Sequence, residues 1–398
     1  MRLDWAVYGL ELRSPLRISR SVMARRDAVR VVLEWDGIRG HGEVVTSQYY
    51  GLDVERITGL LRDLAPVVAD CADPAELRER LPELPPGVLA AVDAALHDLA
   101  ALRAGVPVHV SLGVPQWTDV PTAYTIGIGS ARDAAVEAEA LAARGFTVLK
   151  VKVGAEDDVA RVTAVRAAAP DARLILDPNG GWTAEEAVRV VDRLTGVDAL
   201  EQPLPPGRWD ELAWLRERCA VPLIADEDAA TVADVRALAG LVDGVNVKLA
   251  KCGGITAARE IIDVARACGL DVMLGCLVAS SLGIAPAVHL TGHARWVDLD
   301  GHLLLADDPW TGIGGEDGTL RLTGAPGLGV TPANAEPATA KPTNGPTTTQ
   351  PTTAEPTTAE PTTTAEPTTR STTAGPTTER TAGPTTAGPA TFDPVVRR

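Results

Sequence analysis

Titratable amines are scarce in this chain, and they cluster. Among its 37 lysines and arginines only five are lysine: Lys150, Lys152, Lys248, Lys251 and Lys341. Arginine keeps its proton near neutral pH, whereas a buried lysine can lose it. Four of the five lysines fall in two short segments, VLKVKVG and VNVKLAKCGG. Random survivors of a coding bias would scatter, so the clustering points to a required amine. Lys150 and Lys152 are two apart in an apolar run, which places both on one face of a strand. Neighbouring ammonium groups are expected to lower the pKa of at least one, giving a base closer to neutral pH.

Carboxylates follow the same rhythm. Asp177, Glu201 and Asp226 each end a short apolar run, about one strand-plus-helix apart. Each alone reads as a helix cap. Three on successive strands would repel one another unless a cation sat among them, and oxygen-only ligands suit Mg²⁺, with Mn²⁺ as a substitute. Lys248 ends the sixth run and would face Lys150 and Lys152 across a closed ring. Lysines on two sides of a carbon acid could remove a proton from one face and return it to the other, inverting a stereocentre. Asn179, Glu227 and Lys251 lie beside these groups and are expected to support them. Asp298 and Asp300 end the last run, where they read either as an anionic pocket for an amine or as a barrel-end turn.

The elements that must position these residues are eight apolar runs: TAYTIGI, TVLKVKV, RLILDPN, DALEQPL, PLIADED, GVNVKLA, DVMLGC and RWVDLDG. Helical stretches separate them at a spacing near that of one βα unit. Eight such units close a parallel barrel, with polar residues at the strand C-termini meeting at one mouth. An open doubly wound sheet is the alternative. The expected fold class is α/β, a (β/α)₈ barrel over about 116–305 preceded by an α+β cap over 1–115. Antiparallel strands are expected at Asp4–Glu11 and Ala28–Trp35, a helix at Gly87–Ala104, and mobile loops at Arg17–Arg26 and Ser47–Asp53. Residues 306–328 should pack back on the cap. Residues 329–398, rich in Thr, Pro and Ala, lack the large apolar side chains that would offset ordering, and read as a disordered tail.

Net charge is −16. Six acidic and five basic side chains leave 331–398 at −1, so nearly all of it belongs to the rest of the chain. That balance excludes nucleic acid as partner, because phosphate binding needs a basic surface. No apolar run is long enough to span a bilayer, and the N-terminus does not read as a signal peptide. Five cysteines without CxxC pairs suit a reducing, cytoplasmic compartment. A homo-oligomer is compatible with all of this. His289 and His293, four apart, read as ordinary helix residues, and His41 as a packing residue of the cap.

The segments KVK, DPNGGW, EQP, ADED and NVKLAKCGG together resemble the enolase superfamily, muconate-lactonizing subgroup, over about residues 1–328. The resemblance implies Mg²⁺ on Asp177, Glu201 and Asp226, with Lys152 and Lys248 as acid/base catalysts, Lys150 in support, and an enediolate as intermediate. No histidine ends the sixth or seventh run, unlike the His-Asp base of mandelate racemases. Asp298-Leu299-Asp300 is similar to the DxD motif with which dipeptide epimerases bind a substrate ammonium. The chain departs from the family at Ala279, where Glu is frequent, and near Gly180, where Gln is. The resemblance implies epimerisation of the second residue of a dipeptide, with L-Ala-D/L-Glu suggested by the arginines of Arg17–Arg26. Arg20 and Tyr50, on the two cap loops, are expected to contact substrate. An N-acylamino-acid racemase, an o-succinylbenzoate synthase or a cycloisomerase is the alternative within the subgroup. A non-catalytic enolase-like binding protein is the alternative outside it.

Overall fold

The computed structural model describes residues 1–114 and 119–334. Strands β1 (Arg2–Ile18), β2 (Ser21–Trp35) and β3 (Ile38–Val45) form an antiparallel meander. Helices α1 (Val54–Asp70), α2 (Pro74–Arg80) and α3 (Pro86–Ala104) cover it, and a short α4 (Val108–Ser111) follows. Asp53 starts α1 by accepting from the Arg56 amide, which satisfies an otherwise orphaned donor. Ile57, Leu61, Leu64 and Val68 bury one face of α1 at helical spacing. A Cβ at Gly42 would collide with the Ala91 carbonyl, so bare backbone lets α3 lie directly on β3.

The stretch Arg17–Arg26 is not a loop. β1 and β2 stay paired to the tip, through Leu16↔Met23, Arg17↔Val22 and Ile18↔Ser21, after a register shift between Glu11 and Leu16. Its residues are polar on both faces, so the alternation that marks a half-buried strand is missing. Ser47–Asp53 is a turn segment closed by reciprocal Ser47–Leu52 backbone bonds of 2.8 and 2.9 Å.

A two-residue strand β4 (Val120–Pro121) leads into the barrel. Its strands are β5 (Tyr124–Ile126), β6 (Val148–Lys152), β7 (Arg173–Asp177), β8 (Val197–Glu201), β9 (Leu223–Ala225), β10 (Gly244–Val247), β11 (Asp271–Gly275) and β12 (Trp296–Asp298). They pair in sequence order, all parallel. Each of the eight apolar runs supplies one strand. The ends of the sheet meet: Ala123 N donates to Val297 O at 2.9 Å, Leu299 N to Thr122 Oγ1 at 2.9 Å and Thr125 N to Asp300 Oδ2 at 2.7 Å.

Period-two alternation stacks the interior in layers. Ala123, Val148, Ile175, Ala199, Ile224, Met273 and Trp296 form an apolar plug. Two residues further along each strand come Thr125, Lys150, Asp177, Glu201, Asp226, Gly275 and Asp298. The plug therefore sets the polar layer above it.

After the barrel, β13 (Trp310–Thr311) pairs with β15 (Thr331–Pro332), and β14 (Thr319–Leu320) with β4. The same segment reaches the cap: Val108 N donates to Gly327 O at 2.9 Å and Leu328 N to Asp98 Oδ1 at 2.8 Å. Buried His289 sits beside it, with Nε2 3.2 Å from Leu328 O and Nδ1 3.2 Å from His109 Nδ1. The ring of His41 packs 5.5 Å from Trp310. Paired chain thus continues past 329, where the tail was expected to begin; short threonine and proline pairings carry no apolar signature. The rest of the expected disordered tail, 335–398, lies outside the described residues. No described helix is long and apolar enough to cross a membrane.

Two truncations separate these parts. Removing 335–398 should leave the melting temperature within about 2 °C, because none of the pairings above is lost. Removing everything from Gly327 on should lower it by more than about 4 °C, since buried Leu328 and its bond to Asp98 go with it. Differential scanning fluorimetry of both proteins checks this.

Candidate active site

The C-terminal mouth of the barrel holds a buried lattice of opposite charges. Lys150 lies at its centre, with Nζ 3.0 Å from Asp177 Oδ2, 2.6 Å from Glu201 Oε2 and 2.8 Å from Asp298 Oδ2. Lys152 Nζ sits 2.6 Å from Asp177 Oδ2 and donates to Asn179 Oδ1 at 3.1 Å. Lys248 Nζ contacts Asp226 Oδ2 at 2.7 Å and lies 3.9 Å from Glu201 Oε1. Lys251 clamps Asp226 through Oδ1 at 2.6 Å and through its carbonyl, and also donates to Asn246 O. Asn246, one inward position below Lys248, donates to Glu201 Oε1 at 2.8 Å.

Strand order gives these groups a compass. β6 and β10 are four strands apart in a ring of eight, so Lys152 and Lys248 face each other across the mouth. β7, β8 and β9 between them carry Asp177, Glu201 and Asp226. β12, with Asp298 and Asp300, stands opposite β8. A ligand stretched from β8 to β12 has its middle between the two lysines. The helix-cap reading of the acids falls away, because Thr183 and Thr231 cap the helices after β7 and β9.

Burial works against each of these charges and the lattice decides the outcome. Burial opposes the charge on Lys150, yet Asp177, Asp298 and Glu201 hold its pKa well above the ordinary lysine value. Lys248 is likewise raised against burial, by Asp226 and Glu201. The lowering expected from paired ammonium groups is therefore absent at Lys150, because the carboxylates surround it more closely than the other amines do. Asp177 and Asp226 are held below the carboxylate range despite burial, by their lysines. Glu201 goes the other way: burial and Asp177 push it up to about 7. Its Oε2 is 2.6 Å from the Lys150 ammonium and has no other partner. Asp300 is raised to about 7 by burial and by Asp298. Asp298 Oδ1 is buried without a partner.

This donor set fits a hard divalent cation. All the acids between the lysines present oxygen, and Glu201 Oε2 has only the Lys150 ammonium against it. Among the described residues no three acidic, histidine or cysteine side chains already stand at chelating distances; lysine ammonium groups occupy the space between the carboxylates. A cation and these ammonium groups are alternative counter-charges for the same oxygens.

Above the lattice opens a cleft of about 730 Å³, walled by the β1–β2 hairpin, the Ser47–Asp53 turn and the strand ends. Tyr50 and Arg20 line it. Arg20 is tied to the barrel by Glu227 at 2.6 Å and by Asn179 O at 3.0 Å. Partial burial disfavours its charge, but Glu227 more than compensates and raises its pKa. Sequence reasoning missed Arg26 and Cys276 in the cleft wall, Thr125 under Asp300, and Asn246. The last was legible from its place two before Lys248; Arg26 was hidden among neighbouring arginines.

Two family models match the chain. One is described as mandelate racemase/muconate lactonizing enzyme, N-terminal domain, over residues 6–113, and the other as enolase C-terminal domain-like, over 133–336. An L-Ala-D/L-Glu epimerase of Bacteroides thetaiotaomicron is 32% identical over 340 residues, covering 83% of this chain and 88% of that protein. A hydrophobic dipeptide epimerase of Roseobacter litoralis is 35% identical over 343 residues, covering 83% and 98%. The crystal structure of a dipeptide epimerase from Methylococcus capsulatus, complexed with Mg and L-Arg-D-Lys, superposes with a TM-score of 0.73 at 34% identity, covering 83% and 98%.

The charge lattice predicts a metal response that needs no turnover. Mg²⁺ at millimolar concentration should raise the melting temperature of the wild-type protein by several degrees, by mass action on the folded state. Glu201→Gln removes the raised, half-satisfied carboxylate, so it should keep or gain stability without metal while losing most of the Mg²⁺ shift. An undiminished shift in Glu201→Gln would remove Glu201 from the ligand set.

Proposed function

The chain belongs to the mandelate racemase/muconate lactonizing enzyme family of the enolase superfamily, and on that premise we propose that it is a Mg²⁺-dependent dipeptide epimerase inverting the α-carbon of the second residue. The observation that carries this reading is the crossed arrangement of the mouth: Lys152 against Lys248 on one diameter, and an acid arc against Asp298 and Asp300 on the other. A dipeptide has charges of the right sign at its two ends. Its carboxylate belongs at the β7–β9 side and its ammonium at β12. The unpartnered Oδ1 of Asp298 is an acceptor waiting for a donor, and the Lys150 ammonium already sits against the other oxygen at 2.8 Å.

Asp177, Glu201 and Asp226 would hold the ion, which supplies positive charge against the charge building on the substrate carboxylate as the α-proton leaves. Everything else falls to the chain. One of Lys152 and Lys248 takes the proton from its face, and the other, as ammonium, delivers one to the opposite face. The next turnover in the reverse direction restores both. Lys251 and Asn246 keep Asp226 and Glu201 oriented. The two carboxylates that raise Lys248 most, Asp226 and Glu201, are among those that would hold the ion. With those two engaged, their hold on this amine would weaken and burial would favour its uncharged, basic form. A cytoplasmic location is part of this reading and suits the five free cysteines.

L-Ala-D/L-Glu requires the hairpin arginines to act on the second residue, yet Arg20 is paired with Glu227 and Arg25 with Glu11 and Asp27. Relatives of similar identity bear names with different side-chain preferences, and a library of dipeptides separates them.

A library of dipeptides, including L-Ala-L-Glu, is incubated in D₂O with Mg²⁺ and read by mass and by chiral separation. Deuterium should enter the second α-carbon, with inversion, and exhaustive chelation should stop it reversibly. Lys152→Ala and Lys248→Ala should each lower epimerisation by about 100- to 10,000-fold. Each should still exchange the α-proton of one epimer, and a different one in each variant. Turnover unchanged in either variant would refute the two-base scheme.

The amine pocket has its own readout. Replacing both Asp298 and Asp300 by Asn should raise KM for dipeptides by about 10- to 100-fold, the loss of a charged hydrogen bond of about 1.5–3 kcal/mol. Faster turnover of an N-acylated amino acid than of every free dipeptide would move the chain to the racemase alternative.

A further inference from the structure

The arginines near the hairpin tip are not equivalent. Arg20 is paired with Glu227 and Arg25 with Glu11 and Asp27, the latter two contacts at 3.1 and 2.9 Å. Arg26 lines the cleft, is half-buried, and has no carboxylate partner among the described residues. Its recorded hydrogen bond runs to the Val278 carbonyl at 3.3 Å. Burial pushes its pKa down to about 10, which leaves it charged at neutral pH. A guanidinium withdrawn from water without a counter-ion is costly, and its planar fork matches a carboxylate.

Its place along the cleft decides which carboxylate. Val278 lies three residues beyond Gly275, the register partner of Asp298. A Cβ at Gly301 would collide with the Leu277 carbonyl, so the segment holding Arg26 lies against Asp298–Gly301. That segment, Cys276-Leu277-Val278-Ala279, carries no acid of its own. Arg26 is therefore at the amine-binding end. Arg20, which donates to Asn179 O, is at the metal end.

We propose that Arg26 is a specificity residue for dipeptides whose first residue is acidic, binding that side-chain carboxylate while Asp298 and Asp300 hold the ammonium of the same residue. The inference rests on the dipeptide reading above and adds the substrate class. A neutral first side chain would leave the guanidinium unpaired in the closed cleft, and discrimination comes from that loss.

The test compares kcat/KM for L-Glu-L-Ala with L-Gln-L-Ala, and for L-Ala-L-Glu with L-Ala-L-Gln, in the full chain with Mg²⁺. Wild type, Arg26→Gln and Arg26→Lys are used. The wild-type protein should prefer L-Glu-L-Ala over its amide by at least about 10-fold, equivalent to about 1.4 kcal/mol. Arg26→Gln should bring that ratio near one, and Arg26→Lys should retain part of it. The wild-type ratio decides the matter even if a variant folds poorly. A wild-type ratio near one, with dipeptides still epimerised, overturns the role of Arg26 and leaves the dipeptide reading standing. A charge preference confined to the second residue overturns it equally. No turnover of any dipeptide overturns the parent reading as well.

Discussion

Buried charge without solvent must be balanced at close range, and the mouth of this barrel is organised around that requirement. Lys150 touches three carboxylates at once while burial opposes its charge. Removing Lys150 would strand the carboxylates gathered around it, a larger penalty than any one pair contributes. The lattice is therefore mutually dependent, and it exists because the strands beneath it are in register. Ile175, Ala199 and Ile224 fill the plug, so Asp177, Glu201 and Asp226 must appear one layer higher. A one-residue slip in any strand would turn its acid outward into the helix layer.

The cap and the C-terminal segment serve the same constraint from outside. A charge lattice open to bulk water would be screened and its pKa shifts would shrink. The β1–β2 hairpin and the Ser47–Asp53 turn wall the cleft. Cap and barrel are held together partly by polar bonds: Ser280 N donates to Glu43 Oε1 at 2.9 Å and Thr256 Oγ1 to Asp93 at 2.6 Å. Burial raises the Glu43 carboxyl, so this joint too is a polar group kept from water by packing. The segment after the barrel returns to the cap through Leu328 and Asp98, closing the chain around both layers.

The eight strands and their polar ends were readable because parallel barrel strands are short apolar runs and their active residues sit at a fixed offset. Lysine scarcity made Lys150, Lys152, Lys248 and Lys251 stand out against a background of arginine. Other features resisted for physical reasons. The hairpin tip is polar on both faces, so strand pairing from Leu16↔Met23 to Ile18↔Ser21 leaves no period in the sequence. The direction of the lysine shifts depends on which counter-charge is nearest, and Glu201 and Asp298 are 51 and 148 residues from Lys150 along the chain. The pairing of Thr331–Pro332 with Trp310–Thr311 uses backbone atoms only, which threonine and proline do not announce.

The division of labour also explains why chemistry and selectivity are differently legible. Every substrate of this reaction presents the same carboxylate and α-carbon, so the groups that address them can sit on rigid strands and follow the strand period. Side chains differ between substrates, and they can be met only by what the cap and the strand-end loops project into the cleft. Those positions obey no period. Arg20, Arg25 and Arg26 are near neighbours of one residue type, yet one is tied to the barrel, one faces solvent with its own acids, and one lines the cleft with only the Val278 carbonyl against it. What separates them is which acid the fold brings within reach: Glu227 for Arg20, Glu11 and Asp27 of the hairpin itself for Arg25, and none among the described residues for Arg26. Only the folded arrangement distinguishes the unpaired group from the paired ones, since all three are the same residue type in one short stretch of sequence.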